Sequence, residues 1–269
     1  MMRAIVKNEL LKTVHRLAFW VVCIVFAFGT TMEYVEAYLR TLAGRSSFTL
    51  PGAWQQILGS DPEALYIFAG VMLILLVANE FTWRTARQNV IDGLSKEQFF
   101  VGKMLLIPFI VLLFLGFRIA LGGTLAAAAG DGWVMGAPAW RALAGLTLAF
   151  VGNLAIALFI ALAVRSGGAA MGVWLLYFAL IENLLAEGLV RLSASFEPVV
   201  KFFPVHVFNA ITRYIQHDPE AFQRAVASAT EHHRDLPQIW DPGTLWLTAI
   251  GWVVVILGGA FVWFRKRDL

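Results

Sequence analysis

Six long apolar stretches, at 18–32, 63–79, 104–129, 139–164, 168–190 and 243–264, constrain this chain more than any other feature. About 20 apolar residues in a helix cross a hydrocarbon core roughly 30 Å thick. Helices also satisfy their own backbone hydrogen bonds there. The expected fold is all-α and integral to a membrane: six transmembrane helices in one domain over 1–269. No sizeable soluble domain fits beside it.

Composition agrees. Only 14% of the residues are charged, against about a quarter in a soluble domain. The net charge of +3 is the modest basic excess that membrane proteins keep on the cytoplasmic side, and it argues against nucleic acid as a partner. Cys23 is the only cysteine, which excludes an intrachain disulfide and a cysteine-based metal site.

The opening segment is too long and too patterned for the n-region of a signal peptide, although Ala27-Phe28-Gly29 offers a small-x-small site. Val6, Leu10, Val14 and Leu17 are expected on one helical face and Asn8, Glu9, Lys12 and Arg16 on the other. The expectation is an amphipathic helix lying on lipid, with Arg3 and Lys7 interrupting its apolar face.

Basic residues set the topology. The N-terminal segment, the 80–103 loop, the turn at Arg165 and the end Arg265-Lys266-Arg267 together hold twelve Lys and Arg. With six spans they share one side, which the positive-inside rule makes cytoplasmic. Both termini then lie inside, in the plasma membrane of a prokaryote. The opposite segments are 33–62, with turn signals at Pro51-Gly52 and Asp61-Pro62, a short turn at 130–138, and the large piece 191–242. Helical spacing in that piece predicts short helices near 205–216 and 219–231. Phe202, Phe203 and Phe208 suggest that it either dips back into the outer leaflet or packs as an ordinary loop on helix ends.

The stretch 79–103, NEFTWRTARQNVIDGLSKEQFFVGK, carries the most information. Val90, Ile91 and Leu94 give a small apolar face; Arg84, Arg87, Gln88 and Asp92 give a polar one. Gly93 and Ser95 end one helix and start the next. Such a helix either lies on lipid or docks into a cleft on a soluble partner.

Here the sequence resembles the permease subunits of ABC-2-type transporters. The pattern is Glu80, then Thr85-x-Arg87, a helix closing in Gly93-Leu94-Ser95-Lys96, and Lys103 opening the next span. The six-span plan, amphipathic N-terminus, large fifth outer segment and terminal Phe264-Arg265-Lys266-Arg267-Asp268 are similar too. The chain departs from many relatives in having Arg84 before Thr85 and no proline near Gly93. The resemblance implies that this loop is a coupling helix on a separate ABC ATP-binding subunit, with Glu80, Thr85, Arg87, Val90, Ile91 and Leu94 at or supporting the contact. It further implies two permease copies, a homodimer, exporting or extracting a substrate. ATP and Mg²⁺ would sit in the partner, with no cofactor in this chain. No G-x-x-x-x-G-K-[ST] phosphate loop occurs in the sequence.

Charges within spans are costly and mark function or pairing. Arg118 lies in span three; Glu182, Asn183 and Glu187 lie in span five. Arg118 and Glu182 are candidates for a buried pair or for the lining of a substrate path. The histidines His206, His217, His232 and His233 match no metal-ligand spacing, so no metal is assigned. Gly168-Ala-Ala-Met-Gly172 is a GxxxG. If two copies meet through spans two and five, Met72, Leu76, Val173 and Leu176 would line an apolar cavity between them. Trp20, Trp83, Trp133, Trp140, Trp240, Trp246 and Trp263 fit aromatic belts at span ends. Two other function classes remain: a non-transporting membrane anchor or assembly subunit, and an intramembrane enzyme. The enzyme would need a constellation that spans two to six, without histidine or Gly-x-Ser-x-Gly, do not offer.

Overall fold

The computed structural model describes residues 2–59, 62–83, 85–91, 93–130, 132–231 and 240–267. Arg84, Asp92, His232 and His233, and the Asp61 half of the Asp61-Pro62 turn, lie outside the described residues. So do the side chains of Val6, Arg87 and Val90.

Among the described residues the fold is entirely helical. The order is α1 (Met2–Val14), α2 (Leu17–Leu42), α3 (Trp54–Gly59), α4 (Pro62–Thr82), α5 (Thr85–Ile91), α6 (Lys96–Met104) and α7 (Leu106–Ala128). Next come α8 (Ala137–Val164), α9 (Gly167–Leu176), a π-helical turn (Tyr177–Ile181) and α10 (Glu182–Leu192). The chain closes with α11 (Glu197–Val200), α12 (Pro204–Thr212), α13 (Pro219–Glu231) and α14 (Pro242–Lys266). Five helical stretches are long and apolar enough to cross a membrane: Leu17–Leu42, Glu63–Thr82, Lys96–Ala128, Ala137–Val164 and Pro242–Lys266. This is an all-α protein of the multi-pass membrane class. The run from Gly167 to Leu192 stays helical but is divided by the π turn.

The span limits differ from those expected in two places. The α2 helix continues ten residues past position 32, to Leu42. The apolar run stops at Glu33, but Tyr34 and Ala37 still bury against the bundle, so the helix does not. In the third stretch, α6 and α7 meet at Leu105. Pro108 has no N–H for the Met104 carbonyl, which explains a break one turn earlier.

At the centre, α8 packs against α4, α12 and α14. Glycines let aromatic rings reach backbone: Trp174 lies on Gly70, Trp133 on Gly123 and Phe208 on Gly152. Tight packing with small residues is what holds helices together where lipid is as apolar as leucine. The opposite faces of α2 and of α9–α10 present Leu17, Ile24, Phe28, Leu184 and Leu185 outward, as surfaces that face lipid do.

The four basic segments come together at one end of this bundle. Lys12 Nζ donates to Asn89 Oδ1 (3.2 Å). Lys96 Nζ donates to the Arg267 carbonyl (2.9 Å), and Arg267 Nη1 to the Ala163 carbonyl (2.8 Å). We call this the basic end. The segments 43–59, 132–136 and 193–231 lie at the opposite end.

The large segment 191–242 holds α12 and α13 close to the expected positions, and it is no ordinary loop. Phe208 is fully buried on Gly152, near the midpoint of α8. The α12 helix therefore re-enters the bundle.

Candidate functional site

The site lies at the basic end, where α4 turns into α5. Thr85 Oγ1 donates to the Glu80 carbonyl (3.2 Å), and the Trp83 N–H to the Asn79 carbonyl (2.9 Å). Seven residues later α5 stops. Gly93 takes φ +97°, a conformation that costs a side-chain-bearing residue. The Leu94 N–H then reaches back to the Asn89 carbonyl (3.0 Å), the six-to-one bond of a Schellman ending. Ser95 caps α6 with a reciprocal box: its hydroxyl accepts from Gln98 N–H, and the Gln98 side chain accepts from Ser95 N–H. Two helix ends are thus fixed within five residues.

Beneath this turn is a buried ionic cluster. Lys103, with 0% of its side chain exposed, places Nζ 2.6 Å from Glu9 Oε2 and 2.7 Å from Glu80 Oε1. Arg16 donates to Glu80 Oε1 (3.2 Å) and to the Leu76 carbonyl (2.7 Å). Lys12 is 3.9 Å from Glu9. Among the described residues, three cations and two carboxylates leave one net positive charge. Each buried ion alone would cost several kcal/mol, so the members hold one another in place. Arg16 also lies over the Trp83 ring (5.5 Å) and Lys103 over Phe99 (5.0 Å). Through these contacts α1, α4 and α6 share one joint, and α5 is tied to it by Lys12–Asn89 and by Thr85 on the Glu80 carbonyl.

The joint adds a protein-facing side to α1. Glu9 and Thr13 are buried against the protein, whereas Leu11, Val14 and Leu17 face outward. Glu9 turns inward because Lys103 takes it as a partner, while Asn8 and Lys12 of the same expected polar face stay exposed. Apolar spacing alone gives no sign of this. The available signal is Lys103 itself, a charge next to an apolar run with no partner nearby in sequence.

Of the coupling residues expected, Glu80 is 1% exposed inside the cluster, and Thr85 supports its backbone. Ile91 projects outward, 71% exposed. Leu94 does not join it: it packs against the core, as a residue in its place in a Schellman ending does. The expected apolar face is therefore split. Arg87 and Val90 have helical backbones in α5, and their side chains lie outside the described residues.

The span charges are not brought together as a pair. Arg118 Nε donates to the Ile57 carbonyl of α3 (2.8 Å), with Glu33 3.9 Å from Nη2. Glu182 accepts from Tyr177 Oη (2.6 Å), from Val205 N–H (2.7 Å) and from His206 N–H (3.2 Å). The Ile57 carbonyl and the Val205 and His206 amides belong to different short helices. Asn183 and Glu187 are exposed, and Glu187 pairs with Arg191 one turn on (3.2 Å). The four residues expected around a cavity also separate. Met72 and Leu76 border a cavity of about 390 Å³ between the α1–α2 elbow and α4, lined by Arg16, Phe19, Asn79 and Trp83. Val173 and Leu176 lie on the outer face of α9, as do Gly168 and Gly172.

Geometrically, this site can transmit force. A short exposed helix is bolted to two long helices and to α1, while Ile91 is left unburied. No protein-family model matches the chain, and no curated protein matches it.

Proposed function

We propose that this chain is the membrane-spanning subunit of an ABC-2-type exporter, driven by a separate ATP-binding subunit that docks on α5. The observation that carries the reading is the buried Lys103–Glu80–Glu9 cluster beneath an exposed short helix. A helix resting passively on lipid needs no such joint. A helix that receives a push does, because displacement of α5 must reach α4 and α7 without being lost in loop motion. The supporting sequence pattern runs from Glu80 to Lys103.

In this reading Gly167–Leu192 is the fifth of six spans, and the basic end faces the cytoplasm of a prokaryote. Two copies of the chain form the path, and closure of the ATP-bound partner dimer biases it between two access states. The energy comes from the partner, and this chain performs no covalent chemistry.

Purification from native membranes tests the proposal. An ATP-binding subunit should copurify, and Ile91→Asp should abolish the association by placing an unpaired charge in an apolar groove while the variant still inserts. A wild-type chain that purifies without an ATPase, or an Ile91→Asp variant that retains it, overturns the assignment of α5.

A further inference from the structure

The cavity of about 390 Å³ at the α1–α2 elbow is graded from charged to apolar. At its rim stand His15, Arg16 and Trp83, and Asn79 adds a side-chain amide. Met72, on the same wall as Trp83, lies about 16 Å deeper along α4. Phe19 and Leu76 complete the apolar part. Trp20 and Trp83, 50% and 60% exposed, mark the depth. Exposed tryptophans at span ends belong at the headgroup level of a membrane. The rim therefore lies at the interface and the floor among acyl chains.

The rim is also positive. Among the described residues, Lys12, Arg16 and Lys103 exceed Glu9 and Glu80 by one charge, and Arg16 is the member that lines the cavity. A guanidinium has five N–H groups. Arg16 uses three of them: Nη1 donates to the Leu75 (3.4 Å) and Leu76 (2.7 Å) carbonyls, and Nη2 to Glu80 (3.2 Å). Two remain. The α2 helix begins at the same place. Its N-cap is Arg16, which gives it no side-chain cap, so its first turn opens on the cavity through Leu17 and Ala18. Uncapped amides and the positive end of the dipole favour an anion there. Among the described residues no carboxylate lines the space.

We propose that this elbow cavity binds one anionic phospholipid from the leaflet at the basic end. The phosphate sits against Arg16, His15 and the first turn of α2, and the upper part of one acyl chain lies on Phe19, Met72 and Leu76. Basic pockets between spans on the cytoplasmic side take anionic headgroups for the same reason. Because Arg16 would hold both the phosphate and Glu80, an occupied site offsets the excess charge of the joint and ties α2 to it. The site does not depend on the transport reading. It needs only that the basic end lies at a membrane face.

The test uses the full chain in a neutral detergent, titrated with phosphatidylglycerol or with phosphatidylcholine of matched chains. Native mass spectrometry counts the lipids retained. The wild-type protein should hold one phosphatidylglycerol at least about fivefold more tightly than phosphatidylcholine. Ala18→Trp fills the cavity from a half-buried position and should lose that molecule. His15→Glu, at an exposed position, should lose the preference by repelling the headgroup. Neither change touches the ionic cluster, so both variants should melt near the wild-type temperature. Val254→Trp, on the outward face of α14 and 64% exposed, should alter nothing. Soluble glycerol phosphate should leave the lipid bound.

Equal retention of the two lipids by the wild-type protein overturns the proposal. So does unchanged binding in Ala18→Trp or an unchanged preference in His15→Glu. Equal loss in Val254→Trp would make the lipid a general coat of the bundle, and displacement by glycerol phosphate would make the site one for soluble anions; either result overturns it too. A lipid held as expected by a protein that binds no ATPase would leave the site standing and sink the transporter reading instead.

Discussion

Lys103 Nζ lies 2.7 Å from Glu80 Oε1, with neither side chain more than 2% exposed. The two residues are on different helices, α6 and α4, at the two ends of the turn that contains α5. This pair converts a surface loop into part of the bundle. Its cost is the removal of both charges from water, and its strength depends on the other members, Glu9 and Arg16.

The cluster predicts an order of damage. Lys103→Met removes the cation that touches both carboxylates and should destabilise the protein by about 3–5 kcal/mol. Glu80→Gln should cost less, since Lys103 keeps Glu9 at 2.6 Å. The double variant should be less damaging than the sum of the two, with a coupling of about 0.5–3 kcal/mol. Thermal unfolding in detergent measures all three. Equal and additive losses would mean that the cluster does not act as a unit.

A second prediction concerns Gly93. Its φ of +97° is open to glycine and strained for alanine, at about 1 kcal/mol or more. A methyl at this position would meet no neighbouring atom within 4 Å, so backbone strain acts alone. Gly93→Ala should leave insertion and global melting nearly unchanged while loosening the α5–α6 turn. The expected readout is weaker association with the proposed ATP-binding subunit. Gly93→Asn, which tolerates left-handed backbone better, should recover part of it. Full association of the alanine variant would show that the turn need not be rigid.

Much of this architecture is legible in the chain. Apolar length gives the long helices, and Gly93 with Ser95 marks the break between α5 and α6. Long-range polar pairing is what the sequence hides. Arg118 and Glu182 read as a pair because both are charges in apolar runs, yet each satisfies the end of a short helix. No periodicity announces a carboxylate serving the amides of Val205 and His206, 23 and 24 residues away. Glu9 is obscured differently: its helix has a solvent-like pattern, and its partner is 94 positions distant. The end of α2 is hidden because Glu33 interrupts an apolar run that the helix itself ignores.

A third prediction uses shape rather than charge. Gly152 leaves room for the Phe208 ring, and a methyl there would overlap it. Gly152→Ala should therefore destabilise the seating of α12 by about 1–3 kcal/mol, the usual cost of overpacking. Phe208→Leu alone should also weaken the seat by leaving space. Combined, the two changes should be milder than Gly152→Ala alone, because the smaller side chain makes room for the new methyl. Melting temperatures of the three variants decide this. A double variant worse than either single one would mean that the ring and glycine are not partners.

The fourth prediction is a pH dependence at His217, in the segment between α12 and α13. Burial lowers its pKa below the ordinary value, opposed by the bond to the Ile211 carbonyl (2.8 Å), with the positive charge of Arg141 lowering it further. The ring also lies near Trp246, 6.2 Å between centroids, and against Gly145 of α8. A histidine depressed in the folded state is neutral there while the unfolded chain still takes up a proton. Its contribution is therefore fully present above about pH 6.5 and declines as the pH falls towards the lower folded value. Thermal unfolding between about pH 7.5 and 5, a range that brackets the ordinary histidine value, should show an acid-side loss that His217→Gln reduces, because glutamine cannot become charged. The glutamine variant can be less stable at the upper end of that range, but its pH slope should be shallower. An identical slope in the two proteins would assign the acid sensitivity to other groups and leave His217 as a packing residue alone.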